Sequence, residues 1–126
     1  MAKVLYENYE TWLICGGRDF SDVEMFDNAM SDIMNRFGHP SQIVHGAAKG
    51  ADSMAGELAK RMAIDVVSCP ANWKKLGRSA GPIRNRRMLS YQPDKIIAFP
   101  GGRGTADMIE KGRKAKIDVI EIRAQQ

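Results

Sequence analysis

An α/β fold with one five-stranded parallel sheet is predicted by three features of the 126-residue chain. Short apolar runs alternate with helical patterns, three of those runs end in glycine-rich turns, and each connection between runs is long enough for a crossover helix. Right-handed crossovers favour helices on both faces and the doubly wound strand order 3-2-1-4-5, in which strands one and four part company and leave a ligand crevice at their carboxyl ends. A chain of this length buries roughly two thirds of the surface it exposes when unfolded, enough for a core without disulfide or metal staples. One domain over residues 1–126 is expected, with 1–10 as a flexible N-terminal segment.

Thr11-Trp-Leu-Ile-Cys15 is a short apolar run cut off by Gly16-Gly17, which predicts a buried first strand. A helix follows, with Ser21 and Glu24 as a capping box, Phe20 and Met25 as a hydrophobic staple, and Val23, Phe26, Met30, Ile33, Met34 and Phe37 at helical spacing. Gly38 and Pro40 end it. Gln42–His45 reads as the second strand, Gly46–Gly50 as a turn, Ala51–Ala63 as a helix and Ile64–Ser68 as the third strand. A polar connection from Cys69 to Gly77 leads to a basic helix over Ser79–Ser90, with Gly81-Pro82 in its first turn. Lys95–Phe99 is the fourth strand, ended by Pro100-Gly-Gly; a helix from Gly104 to Lys116 and a strand over Val119–Ile122 complete the pattern. The methionines at 25, 30, 34, 54 and 62 read as core filling.

Composition limits the function classes. With 44% hydrophobic and 27% charged side chains and no apolar run near the roughly 20 residues of a membrane span, the chain reads as a globular protein with no membrane partner. Acids near the N-terminus do not suit a signal peptide, so a cytoplasmic location is expected. Cys15 and Cys69 match no metal or disulfide spacing and read as buried small side chains; no metal and no cofactor are expected. The net charge of +4 is unevenly spread: residues 1–40 hold three basic and seven acidic side chains, whereas Val66–Pro93 holds six basic and no acidic ones.

The turns after strands one, two and four all fall on one edge of the sheet, and such glycine turns at helix starts suit phosphate. None has the Walker spacing or the GxGxxG dinucleotide spacing. Arg18 is placed to clamp a phosphate and Asp19 to take ribose hydroxyls, or the two form a local salt bridge. His45 suits a phosphate contact or acid–base work, and equally a structural role. Asp52 either complements its helix dipole or meets ligand; Thr105 either caps the last helix or donates to phosphate; Trp73 either stacks on a base or pins its loop. Arg84 to Arg87 spread around a helix, which puts Arg86 and Arg87 on a solvated face.

Five segments, in order, carry a resemblance: Gly16-Gly-Arg-Asp-Phe20, His45-Gly-Ala-Ala-Lys-Gly-Ala-Asp52, Pro70-Ala-Asn-Trp73, Ala80-Gly-Pro-Ile-Arg-Asn85 with Met88, and Pro100-Gly-Gly-Arg-Gly-Thr-Ala-Asp-Met108. The last resembles the PGGxGT loop of the lysine-decarboxylase-like (LOG) proteins, and the series is similar to the YspA-like branch of the SLOG superfamily. The resemblance implies a Rossmann-like domain, a homodimer or larger oligomer, and a nucleotide or nucleotide-derived ligand. It places Gly16, Gly17, Arg18, Asp19, His45, Gly46, Lys49, Arg84 and Asn85 around that ligand, with its phosphate on Pro100, Gly101, Gly102, Arg103, Gly104 and Thr105.

LOG enzymes cleave the N-glycosidic bond of nucleoside 5′-monophosphates with a glutamate three residues past the threonine of that loop. Met108 stands at this position, and a thioether neither stabilises an oxocarbenium-like centre nor activates water. The branch also usually has an acid where this chain has Asn72. The leading expectation is therefore nucleotide binding. The alternatives are an N-glycosidic hydrolase using Asp19, Asp52 or Asp107, and, less favoured, a nucleic-acid-binding module built on Lys74–Arg87, where only Trp73 and Tyr91 offer stacking.

Overall fold

In a computed structural model, which describes residues 9–123, five parallel strands form one sheet of order β3-β2-β1-β4-β5, as the doubly wound expectation requires. The strands are β1 (Thr11–Cys15), β2 (Gln42–His45), β3 (Asp65–Ser68), β4 (Lys95–Ala98) and β5 (Asp118–Glu121). The helices are α1 (Val23–Phe37), α2 (Ala51–Arg61), α3 (Trp73–Leu76), α4 (Ala80–Leu89) and α5 (Arg103–Lys114). Most of the expected N-terminal segment over 1–10 lies outside the described residues.

Side chains alternate across a strand, so a fully buried strand divides its apolar residues between two cores. Trp12 and Ile14 of β1 face one layer with Ile43, Ile97 and Phe99, where α1 brings Phe26, Met30, Ile33 and Met34, and α2 brings Ala51, Ala55, Leu58 and Ala59. Leu13 and Cys15 face the other with Val44, Ile96 and Ala98, against Met88 of α4 and Met108 of α5. Each fully buried large side chain contributes about 1.5–3 kcal/mol, so β1, at the centre of both layers, anchors the sheet. The central pairings Trp12 with Lys95 and Cys15 with Ala98 end β1 and β4 level with each other, and their following turns leave the sheet side by side.

Several local expectations are corrected. Asp22, not Ser21, caps α1: its Oδ1 accepts the Met25 N–H at 2.9 Å. Aspartate is as good a cap as serine, and the one-residue later start puts Val23 on the exposed face and displaces the Phe20–Met25 staple. Phe20 packs on the Phe99 ring instead, with ring centres 5.3 Å apart. Phe37 also lies half-exposed at the end of α1, its ring under Lys95. The helices α2 and α5 stop two residues early, because Ala63 and Lys116 turn the chain with positive φ of 54° and 61°. The polar connection, expected to be irregular, contains the short helix α3; Asn72 caps it by accepting the Lys75 N–H at 3.1 Å. That cap gives Asn72 a structural role.

Candidate functional site

Beyond the carboxyl ends of β1 and β4 lies a cavity of about 1030 Å³, at the upper end of ligand-pocket sizes. Its walls are the first turn, Gly16 to Asp19, and the fourth turn, Pro100 to Thr105, with Asp52, Trp73, Arg84 and Asn85 completing the rim and floor. The two turns are tied together, since the Gly17 N–H donates to the Pro100 carbonyl at 2.9 Å. This approach requires glycine at 101, where a Cβ would run into the Gly17 nitrogen and Thr105 Oγ1.

A second cavity of about 470 Å³ adjoins the first and is lined by the Gly46–Lys49 turn, Pro70 and Ala71. Arg18, Asp19, Ala48, Trp73 and Arg84 line both cavities. The Arg18 guanidinium lies over the Trp73 ring at 5.3 Å, so this pair stands at the boundary. Trp73 is half-exposed and rests on Gly81, where a Cβ would come within 3.1 Å of the indole. The indole thus both pins its loop to α4 and offers a ring face at the cavity wall.

Behind the rim, hydrogen bonds fix α4 against two turns. Arg84 donates from one terminal nitrogen to the Gly46 carbonyl at 2.6 Å and from Nε to Asn85 Oδ1 at 3.1 Å. Buried Asn85 donates from Nδ2 to the Gly104 carbonyl at 3.1 Å and to Asp107 Oδ2 at 2.9 Å. Asn85 therefore spends its polar atoms on holding Arg84 and the start of α5 in register. Gly46 leaves room for this, because a Cβ there would occupy the Arg84 guanidinium's place.

The helix starts facing the main cavity differ. At α2, Gly50 has φ 76° and sits so close to the Gly17 carbonyl that no side chain fits. Asp52, one residue into the helix, accepts the Ala48 N–H at 3.1 Å, so a carboxylate already occupies this positive helix end. Burial pushes the Asp52 carboxyl up to about 6, against the opposing pull of the Ala48 hydrogen bond and the Arg84 charge. At α5 the preceding residue is Gly102; like α2 this helix has no side-chain cap, but its first turn holds no acid. The expected alternative of Thr105 as that cap is not realised; Thr105 is buried, with its hydroxyl against Gly101.

The remaining candidates separate cleanly. His45 lines neither cavity: its Nδ1 accepts the Ala47 N–H at 3.0 Å, and burial lowers its pKa, which favours a neutral structural imidazole. Asp107 also lies outside both linings. Burial pushes its carboxyl up, but hydrogen bonds from Lys111 and Asn85 more than offset this and hold it below the ordinary value. Met108 is wholly buried in the second core layer and lines neither cavity, so that position presents no side chain to a ligand. Arg86 and Arg87 are exposed. Cys15, Phe20, Ala48, Gly81 and Met88 also line the main cavity; all but Cys15, whose apolar run signals only core, lie in the segments that carry the family resemblance. No helix among the described residues is long and apolar enough to cross a membrane.

No solved structure matches the chain. The Gene 61 protein of Mycobacterium phage D29 is 34% identical over 115 residues, which cover 86% of this chain and 92% of that protein. A family profile described as YspA, cpYpsA-related SLOG matches residues 13–76, from β1 through α3. With that match over half of its length and a relative aligned over nearly all of it, the chain belongs to the YspA, cpYpsA-related SLOG family.

Proposed function

We propose that the protein binds a nucleotide or nucleotide-derived molecule in the larger cavity, with a phosphate on the Pro100–Thr105 turn at the start of α5. The observation that carries this reading is the contrast between the two helix starts: neither has a side-chain cap, but α2 carries the buried Asp52 carboxylate in its first turn, whereas the first turn of α5 holds no acid. A helix N-terminus carries roughly half a positive charge and free N–H donors, and a phosphate meets both needs. Arg18, Arg84 and Arg103 line the same cavity and add charge. Membership of the SLOG family favours a nucleotide over other phosphorylated molecules.

A ligand that binds only the folded state adds about 2.7 kcal/mol of stability at a hundredfold excess over Kd. A thermal-shift screen over mononucleotides, dinucleotides and cyclic nucleotides is expected to raise the unfolding midpoint with at least one class; a flat response across the panel refutes the reading.

Asp52 favours one second reading, a slow N-glycosidic hydrolase. It is a buried carboxyl in the cavity wall whose pKa lies near the range useful for proton transfer. Asp107 is committed to Lys111 and Asn85 and is the weaker candidate for that chemistry. Incubation with nucleoside 5′-monophosphates is expected to release little free base; rapid release that is lost in Asp52→Asn promotes the enzyme reading.

A further inference from the structure

The two adjoining cavities have different chemistry, and the smaller one is not needed for a mononucleotide on the α5 turn. A mononucleotide fills only part of a cavity of about 1030 Å³. The smaller cavity adds about 470 Å³ and is lined by three cations, Lys49, Arg18 and Arg84, with one acid, Asp19, and an apolar wall of Pro70 and Trp73. Its backbone does not cradle an anion as the α5 turn does, because the Ala47 N–H is spent on His45 and the Ala48 N–H on Asp52. Anion capacity there comes from the side chains, and Lys49 is exposed on the turn.

We propose that the ligand is a nucleotide carrying two separated phosphate groups, one seated on the Pro100–Thr105 turn and the other among Lys49, Arg18 and Arg84 in the smaller cavity. This rests on the nucleotide reading above. The Arg18–Trp73 pair at the boundary suits the middle of such a molecule: an indole face meets a sugar or base, and the guanidinium beside it reaches a phosphate on either side. Asp19, which lines both cavities, is the group available to sugar hydroxyls between the phosphates.

The test compares three probes by calorimetric titration at one salt concentration: AMP, adenosine 3′,5′-bisphosphate and 5′-phosphorylated diadenylate. The second carries its extra phosphate close to the first and the third carries it one nucleotide away, so the pair also reports the spacing. At least one two-phosphate probe is expected to bind about tenfold or more tightly than AMP, and Lys49→Ala is expected to remove most of that difference; tenfold corresponds to about 1.4 kcal/mol. Lys49 is exposed, so the variant folds. AMP binding as tightly as both other probes overturns this inference and leaves the mononucleotide reading standing, and so does a preference that survives Lys49→Ala. No binding of any of the three probes overturns this inference, while the nucleotide reading stands or falls on the wider thermal-shift panel.

Discussion

Asp52 shows how far a single side chain departs from what its sequence position announces. An aspartate two residues after Gly50 reads equally as a dipole partner or a ligand group, and the fold makes it a buried N-terminal carboxylate beside Arg84. Its folded-state pKa lies above the ordinary 3.8, so the folded protein holds a proton that the unfolded chain has already released. The sign follows: this group's contribution is most favourable below about pH 4, declines as pH rises to about 6, and stays at its least favourable above that. The full difference is on the order of 3 kcal/mol. Asp52→Asn keeps an acceptor for the Ala48 N–H and removes the titration. Denaturant unfolding of wild type and variant between pH 4 and 7 is therefore expected to show the wild type losing about 1–3 kcal/mol relative to the variant as pH rises. Parallel curves would show that Asp52 does not titrate in this window. Asn85 is the counterpart whose structural role no sequence pattern announces, because it ties Arg84 on its own helix to Gly104 and Asp107 on α5, about twenty residues away in the chain. Asn85→Ala leaves the Gly104 carbonyl and the Arg84 Nε without this partner, and urea unfolding is expected to show a loss of about 1–3 kcal/mol.

At the level of elements, the strands were the most legible part of the sequence because each is an apolar run closed by a turn signal, and all five lie where the pattern put them to within a residue or so. The helix ends were less legible. Asp22 and Ser21 compete for the same cap, and Ala63 and Lys116 reverse the chain in a conformation usually left to glycine. The fourth turn was legible in composition but not in mechanics: its glycines have different jobs. Gly101 is closed in by Thr105 and the Gly17 nitrogen, whereas a Cβ on Gly102 would meet no atom within 4 Å. Gly102→Val is therefore expected to fold with a near-native unfolding midpoint and to lose nucleotide binding, because its side chain takes the space of the phosphate. Gly101→Val is expected to lower the midpoint itself; thermal unfolding of both variants, with and without nucleotide, separates the two. Met108→Glu, which restores the LOG residue in sequence, buries a carboxylate among Leu13, Cys15 and Met88, and circular-dichroism melts are expected to show destabilisation by several kcal/mol rather than a gain of catalysis.

Across the whole molecule, the order β3-β2-β1-β4-β5 converts five separated segments into one site. It sets the turns of β1 and β4 side by side, brings the β2 turn next to them, and lets α4 reach over with Arg84 and Asn85. The division into two cavities was not legible, because it depends on the Arg18 guanidinium settling over Trp73, a contact between residues far apart in the chain. The basic α3–α4 surface carries exposed Trp73, Leu76 and Ile83. If its lysines bound nucleic acid, oligonucleotide affinity would fall with salt at a slope near −0.7 per phosphate contacted and would collapse in Lys74→Ala with Lys75→Ala. The nucleotide reading predicts instead that this double variant keeps mononucleotide affinity within about twofold, a change of less than about 0.5 kcal/mol. The central claim is that phosphate sits at the start of α5, and amide chemical shifts recorded while a nucleoside monophosphate is titrated into the labelled protein test it most directly. The largest changes are predicted at Gly102, Arg103, Gly104 and Thr105. Changes confined to the Gly46–Gly50 turn or to α3 and α4, with the α5 start unmoved, would contradict it.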